Sequence, residues 1–215
     1  MQEDLELSLR AVVFDYGMVL TGPPAPEAHD ALLRITGLNA EGLDSIYWAN
    51  RRAYDEGNLT GPEFWQKLAH DAGLNLSAAD LADLNDWDAR MWTTENRPML
   101  AWQQELKARG LQTAILSNMG DNVHQRMERE FNWLSRFDVL VWSYRLRITK
   151  PDPAIYQYTL KELGTHPEET LFLDDRPANV EGARAVGMIA LQFSTAEQLG
   201  RDLAAHGLDA ELPLP

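Results

Sequence analysis

The sequence predicts an α/β protein: a doubly wound parallel sheet, interrupted after its first strand by an inserted bundle of four helices. Three observations predict it. Ala11 to Phe14 reads AVVF and runs into Asp15 and then Gly17, the pattern of a buried parallel strand that stops at a tight polar turn. From about residue 22 to residue 94 the apolar spacing is helical throughout. From Met99 onward, helix and strand alternate as far as Phe193. The expected division is a core of residues 1–21 and 95–215 and a helical cap of residues 22–94, joined by loops near Gly22 and near Pro98.

Taken in order, the first strand exits through TGPPAPE, whose prolines cannot continue a strand. Helical spacing follows over Glu27 to Ile35, Leu43 to Tyr54, Glu63 to Ala72 and Ala79 to Trp92, with Gly37, Gly57, Gly61, Pro62 and Gly73 at their ends. Four short amphipathic helices make a small bundle. The second part predicts a helix over Met99 to Arg109, a strand over Gln112 to Leu116 ending on Ser117-Asn118, and a helix over Asp121 to Glu130. It continues with a strand over Phe137 to Ser143, a helix over Ala154 to Leu163, and a strand over Thr170 to Leu173 ending on Asp174-Asp175. A helix over Ala178 to Val186 and a strand over Ile189 to Phe193 complete the pattern, and Asp209 to Pro215 reads as frayed. The helical segment is thereby placed as a lid above the carboxyl edge of the sheet.

Composition narrows the function. The chain has 215 residues and 45% hydrophobic content, ample for a packed core. Nineteen basic against 33 acidic residues leave a net charge of -14, which repels nucleic acid and anionic membrane surfaces, and no run of Lys or Arg offsets it. Cysteine is absent, so disulfides and thiolate metal sites are excluded. There is no apolar run of about 18 residues, and the opening MQEDLELSLR lacks the form of a secretory signal. These features predict a soluble cytoplasmic protein; the expected assembly is a monomer or homodimer.

Three strands end in polar clusters, at Asp15, Ser117-Asn118 and Asp174-Asp175, and Lys150 in ITKPDPAIY sits at the mouth of a helix. Singly, each has a plain structural explanation: a helix cap, a turn pair, a solvated lysine. In a parallel sheet, however, these ends converge on one edge, where open α/β sheets bind ligands. A nucleophilic or metal-binding carboxylate, a hydroxyl-amide pair, an ammonium and a carboxylate pair would then share a pocket.

On these residues the sequence resembles the haloacid dehalogenase superfamily, in its phosphatase branch with a helical cap between the first and second motifs. The motifs match as FDYGMVL, ILSN, KPDPAIY and LFLDDRPANVEGARAVGM, from Phe14 to Met188. The resemblance implies that Asp15 attacks phosphorus to give an aspartyl-phosphate, from a small phosphorylated metabolite of sugar-phosphate type. It implies that Ser117, Asn118 and Lys150, with the turn at Tyr16 and Gly17, hold the phosphoryl oxygens. Mg²⁺ would be held by Asp15, the Gly17 carbonyl and Asp175, with Asp174 assisting through water. Oxygen donors without Cys or His suit a hard cation, which also offsets the repulsion between a carboxylate and a phosphate dianion.

One position departs from the pattern. Phosphatases of the superfamily normally carry a second Asp two residues after the nucleophile, a general acid-base group typically worth about 10² to 10⁴ in rate; here it is Gly17. Three readings follow: a phosphatase with its acid supplied elsewhere, a dehalogenase-type hydrolase whose leaving halide needs no proton, or a binding protein that turns over little.

In the lid, Trp48, Arg51 and Tyr54 lie on adjacent turns, placed to read the leaving group; a solvated face with Arg51–Asp55 and Arg52–Glu56 pairs is the plainer alternative. The other aromatics of the segment read as bundle core. The five histidines lack metal-ligand spacing, and His29 lies near the lid hinge. Arg176 either anchors the loop after the acidic pair or faces solvent.

Overall fold

A buried strand at the centre of the sheet carries the first polar cluster. The structure, a computed structural model, describes residues 9–214; the acidic opening MQEDLELS and Pro215 lie outside the described residues. Strand β1 (Ala11–Phe14) leads into a π-type helical turn, Tyr16–Leu20, and then helices α1 (Pro26–Thr36), α2 (Ala40–Asp55), α3 (Gly61–Asp71) and α4 (Ala78–Met91). Helix α5 (Arg97–Ala108), β2 (Gln112–Ser117), α6 (Asp121–Glu130), β3 (Val139–Trp142) and the single turn α7 (Ser143–Leu146) follow. The chain ends with α8 (Pro153–Leu163), β4 (Thr170–Asp174), α9 (Pro177–Ala185), β5 (Ile189–Gln192) and α10 (Ala196–Ala205).

The five strands are parallel in the order β3-β2-β1-β4-β5, so the chain winds outward on both sides of β1. Alternation along β1 divides the core. Val12 and Phe14 face a cluster with Trp102, Leu106, Met127 and Leu203 from α5, α6 and α10, while Ala11 and Val13 face Ile155, Tyr156, Val180 and Ala183 from α8 and α9. Both faces of the sheet are thus covered, as a parallel sheet requires. Register decides the site. Phe14 pairs with Ile115 on one side and Leu173 on the other, so the next residue, Asp15, emerges beside Leu116 and Asp174.

Helices α1 to α4 pack around their own cluster, which includes Leu32, Leu43, Tyr47, Phe64, Trp65 and Leu84. Local chemistry starts each of the last three. Asn39 accepts from the Gly42 amide at 2.8 Å, and Thr60–Glu63 and Ser77–Asp80 form capping boxes. The chain leaves and rejoins the sheet through paired backbone: Gly22 N donates to Thr94 O at 2.7 Å, and Asn96 N to Leu20 O at 2.9 Å. The segment is tied down at its far side as well. Ser143 Oγ donates to the Asp55 carbonyl at 2.6 Å, the Gly61 amide to Asp121 Oδ1 at 2.9 Å, and Arg126 pairs with Asp86 at 2.7 Å.

Three expectations need correction. The strand over Phe137 to Ser143 is shorter, Val139–Trp142, because Ser143 leaves the ladder to bond Asp55 and to accept the Met119 amide, and α7 begins there. Helix α10 follows the last strand, capped by Thr195 and burying Leu199 and Leu203. The tail is not frayed to its end: Leu212 is fully buried, and the Trp102 indole donates to the Pro213 carbonyl at 3.0 Å. No helix of the described residues is long and apolar enough to cross a membrane.

Candidate active site

Asp15 extends β1 by one ladder bond, its amide donating to Leu173 O at 2.8 Å. The chain then turns so that the Tyr16 amide donates to Asp15 Oδ1 at 2.7 Å, fixing the carboxylate. Gly17 sits at ordinary φ and ψ of -64° and 134°, and Met18 takes the left-handed φ of 62° that completes the turn. The Tyr16 hydroxyl donates to the Trp92 carbonyl at 2.5 Å, tying this turn to the end of α4.

Lys150 is buried beneath Asp15, and three acceptors take its ammonium: Asp15 Oδ1 at 2.9 Å, Asp174 Oδ2 at 2.6 Å and Leu116 O at 2.8 Å. Its backbone is clamped by Asn118, whose Nδ2 donates to Lys150 O at 2.9 Å while Oδ1 accepts the Lys150 amide at 2.8 Å. Asp174 is fully buried, and its other oxygen accepts from the Arg176 amide at 2.8 Å and Asn179 Nδ2 at 2.9 Å. Every charge at this depth therefore has a partner, which is the condition for burying one.

The carboxylates of Asp15, Asp174 and Asp175 bring oxygen atoms within 4.8 Å of one another. Burial pushes the Asp15 carboxyl up to about 7; Lys150 pulls it down, and Asp174 and Asp175 raise it again. Asp175 is likewise raised, first by burial and then by Asp174. Burial opposes the Lys150 charge, but Asp15 and Asp174 outweigh it and hold the ammonium above its ordinary range. A single ammonium leaves this trio under-neutralised. An oxygen-only donor set with surplus negative charge fits a hard divalent cation.

The pocket above this floor is lined by Asp15, Tyr16, Gly17, Ser117, Asn118, Lys150 and Asp175, so the strand-end residues singled out in the sequence do converge. Asp174 lies underneath, holding Lys150. The Tyr16 amide is already committed to Asp15. From the helical segment, Trp48 and Arg51 reach the pocket wall; Tyr54 does not. Tyr54 is buried, stacked on Phe64 at 4.9 Å, its hydroxyl accepts the Asn122 amide at 3.3 Å, and the Arg51 guanidinium lies over its ring at 5.3 Å. Arg51 is itself engaged, with Asp55 at 2.8 Å, Asp88 at 3.8 Å and the Tyr47 hydroxyl. The Arg51–Asp55 and Arg52–Glu56 pairs of the plainer reading both exist. His29 lies outside this pocket.

Met18, Trp92, Met119, Val123 and Asn179, which carried no site role in the sequence, also stand on the pocket wall, as do Asp55, named there only as a partner of Arg51, and Arg176, left undecided. Arg176 both offers its amide to Asp174 and sets its guanidinium 4.9 Å from the Trp48 ring centre. Asn179 carried a usable signal: it stands in the first turn of the helix after Asp174-Asp175, where a polar side chain faces back to the strand end.

Fold and site together define an α/β enzyme that gathers its acidic and basic groups at the carboxyl ends of a parallel sheet, with Trp48 and Arg51 of α2 on the pocket wall. The chain belongs to the haloacid dehalogenase-like hydrolases, whose family profile matches residues 9–187. It is 33% identical over 212 residues to Phosphatase MT3486 of Mycobacterium tuberculosis, covering 94% of this chain and 96% of that protein. It is 29% identical over 197 residues to (S)-2-haloacid dehalogenase 1 of Pseudomonas sp., covering 86% and 85%. Its fold is similar to that of a HAD family enzyme from Bacteroides thetaiotaomicron solved as a magnesium complex, with TM-score 0.75 at 20% identity over 91% of this chain and 98% of that one.

Proposed function

We propose that the protein is a Mg²⁺-dependent phosphomonoester hydrolase acting on a small organic phosphate, with Asp15 as nucleophile. The observation that carries this reading is Lys150 bridging Asp15 and Asp174 while Asp175 stands close enough to complete a cation site. A carbon-attacking dehalogenase expels halide without needing a metal, so a carboxylate trio would only burden it. The similarity to Phosphatase MT3486 over nearly the whole chain and to a magnesium-bound HAD family enzyme supports the same choice.

In this mechanism an Asp15 carboxylate oxygen bonds to phosphorus, the P–O bond to the alcohol breaks, and the alkoxide takes a proton. Water then attacks the aspartyl-phosphate at phosphorus, releasing inorganic phosphate and regenerating the carboxylate. Asp15 and Asp175, with the Gly17 carbonyl, would hold Mg²⁺, which would supply the charge neutralisation that lets two anions approach. Lys150, its three donors taken by Asp15, Asp174 and Leu116, orients Asp15 and adds its positive charge, while Ser117 and the Asn118 backbone face the phosphoryl oxygens. Asp174 positions Lys150 rather than touching substrate. Gly17 offers no proton, so the leaving oxygen is protonated by water or by a group of the lid. Residues 22–94 act as a cap whose closure keeps bulk water from the intermediate.

Phosphate release from p-nitrophenyl phosphate, with Mg²⁺ and with a chelator, tests the proposal. Release that stops on chelation and returns with Mg²⁺ is expected. Metal-independent halide release from a 2-haloacid, or no turnover of either compound, contradicts it.

A further inference from the structure

The pocket above Asp15 changes character with height. Its floor is polar, but the wall toward the helical segment carries Met18, Trp48, Trp92, Met119 and Val123. Trp48 and Trp92 also line a second cavity, enclosed by α1, α2 and the end of α4, whose remaining wall includes Pro24, Leu32, Leu43, Tyr47 and Met91. The polar side chains there include His29 and Asp44, which face each other at 4.0 Å, Tyr47, whose hydroxyl is taken by Asp88, and the indole N–H of Trp92. Two adjoining spaces thus share two indole rings as their common boundary.

Of the charged groups on that side, Arg51 is matched by the carboxylates of Asp55 and Asp88, and Arg176 is set on the aromatic face of Trp48. A polyhydroxylated leaving group gives up several water hydrogen bonds on entering a site and needs polar partners in return. An apolar one needs only surface to cover it, and each buried methylene adds affinity. Trp48 is 44% exposed although it stands next to the packed bundle core, and its ring stands between the two spaces.

We propose that the substrate is the phosphomonoester of an apolar alcohol, whose hydrocarbon part passes the Trp48 and Trp92 rings into the cavity bounded by Leu32, Leu43 and Met91. This deepens the phosphatase reading and rests on it, and it replaces the sugar-like leaving group expected from the sequence. The chemistry is unchanged: the P–O bond broken is the one to the apolar alcohol.

The test measures kcat/KM with Mg²⁺ for ethyl, butyl, hexyl and octyl phosphate, beside glucose 1-phosphate and p-nitrophenyl phosphate. In the wild type each added methylene should raise kcat/KM by roughly two- to fourfold until the cavity is full. Leu43→Trp, which fills the cavity, should lower the ratio of the octyl to the ethyl phosphate value about tenfold. Should that variant fail to fold, the wild-type series decides alone. A flat series, or glucose 1-phosphate preferred over octyl phosphate, with p-nitrophenyl phosphate still turned over, overturns the inference and leaves the phosphatase reading standing. No phosphate from any ester defeats the phosphatase reading and this one with it.

Discussion

Lys150 and Asp174 form a fully buried pair, Nζ to Oδ2 at 2.6 Å, and the same ammonium reaches Asp15 Oδ1 at 2.9 Å. One lysine therefore serves two carboxylates from different strands and ties Asp174 to Asp15. Structural and chemical roles can be separated at this joint. Lys150→Met leaves two buried carboxylates without their cation, which typically costs about 3–5 kcal/mol. A thermal melt in the metal-free protein should show that loss. The double variant Lys150→Met/Asp174→Asn should recover part of the melting temperature and none of the activity.

Asn179 donates to both Asp174 oxygens, at 2.9 and 3.0 Å, and touches no reacting atom. Groups that orient ligands from behind typically contribute about 10–100-fold to activity or metal affinity. Asn179→Ala should therefore weaken the Mg²⁺ dependence of p-nitrophenyl phosphate hydrolysis within that range. A titration of activity against Mg²⁺ checks it, with an unshifted midpoint as the opposing result.

Two glycines should respond in opposite ways. Gly57 holds a left-handed φ of 68°, and a Cβ there would collide with the Tyr144 carbonyl, where the end of α2 rests on the sheet edge. Gly57→Ala should destabilise the protein and loosen that contact, seen as faster amide exchange over residues 50–60. Gly17 has an ordinary backbone, and a Cβ would meet the Trp92 ring at 3.7 Å, a normal contact. Gly17→Ala should leave the melting temperature unchanged or raise it by the equivalent of about 0.4–1 kcal/mol.

His124 gives stability a pH dependence. Burial lowers its pKa below the ordinary 6.5, with Glu128 opposing and Arg145 adding to the shift, while Trp142 and the Tyr144 hydroxyl pack against the ring. The unfolded chain takes up a proton near 6.5 that the folded chain refuses, so this contribution is present above that pH and is lost as the pH falls below it. Denaturation midpoints measured downward from pH 7 should fall, and His124→Gln should flatten that part of the profile.

Much of this was legible in the sequence because parallel strands and their ends obey strong local rules. AVVFD and LFLDD are apolar runs cut off by acid, and β pairing alone then places Asp15 beside Asp174. Side-chain direction on the helices was harder to read. Tyr54 and Arg51 are three residues apart, yet one turns into the bundle and the other to the pocket, which only the packing of α2 against α3 decides. Trp92 reads as bundle core and Met119 carries no local signal, and nothing in the sequence announces that both line the pocket above Asp15. Helix α10 was passed over although Leu199 and Leu203 stand at helical spacing, since the strand pattern ended just before it.

The central claim is that Asp15 makes the bond to phosphorus, and kcat of Asp15→Asn with p-nitrophenyl phosphate at saturating Mg²⁺ tests it most directly. The account predicts a loss of at least about 10³-fold in a protein that still melts cooperatively. A variant turning over within threefold of the parent enzyme would contradict it.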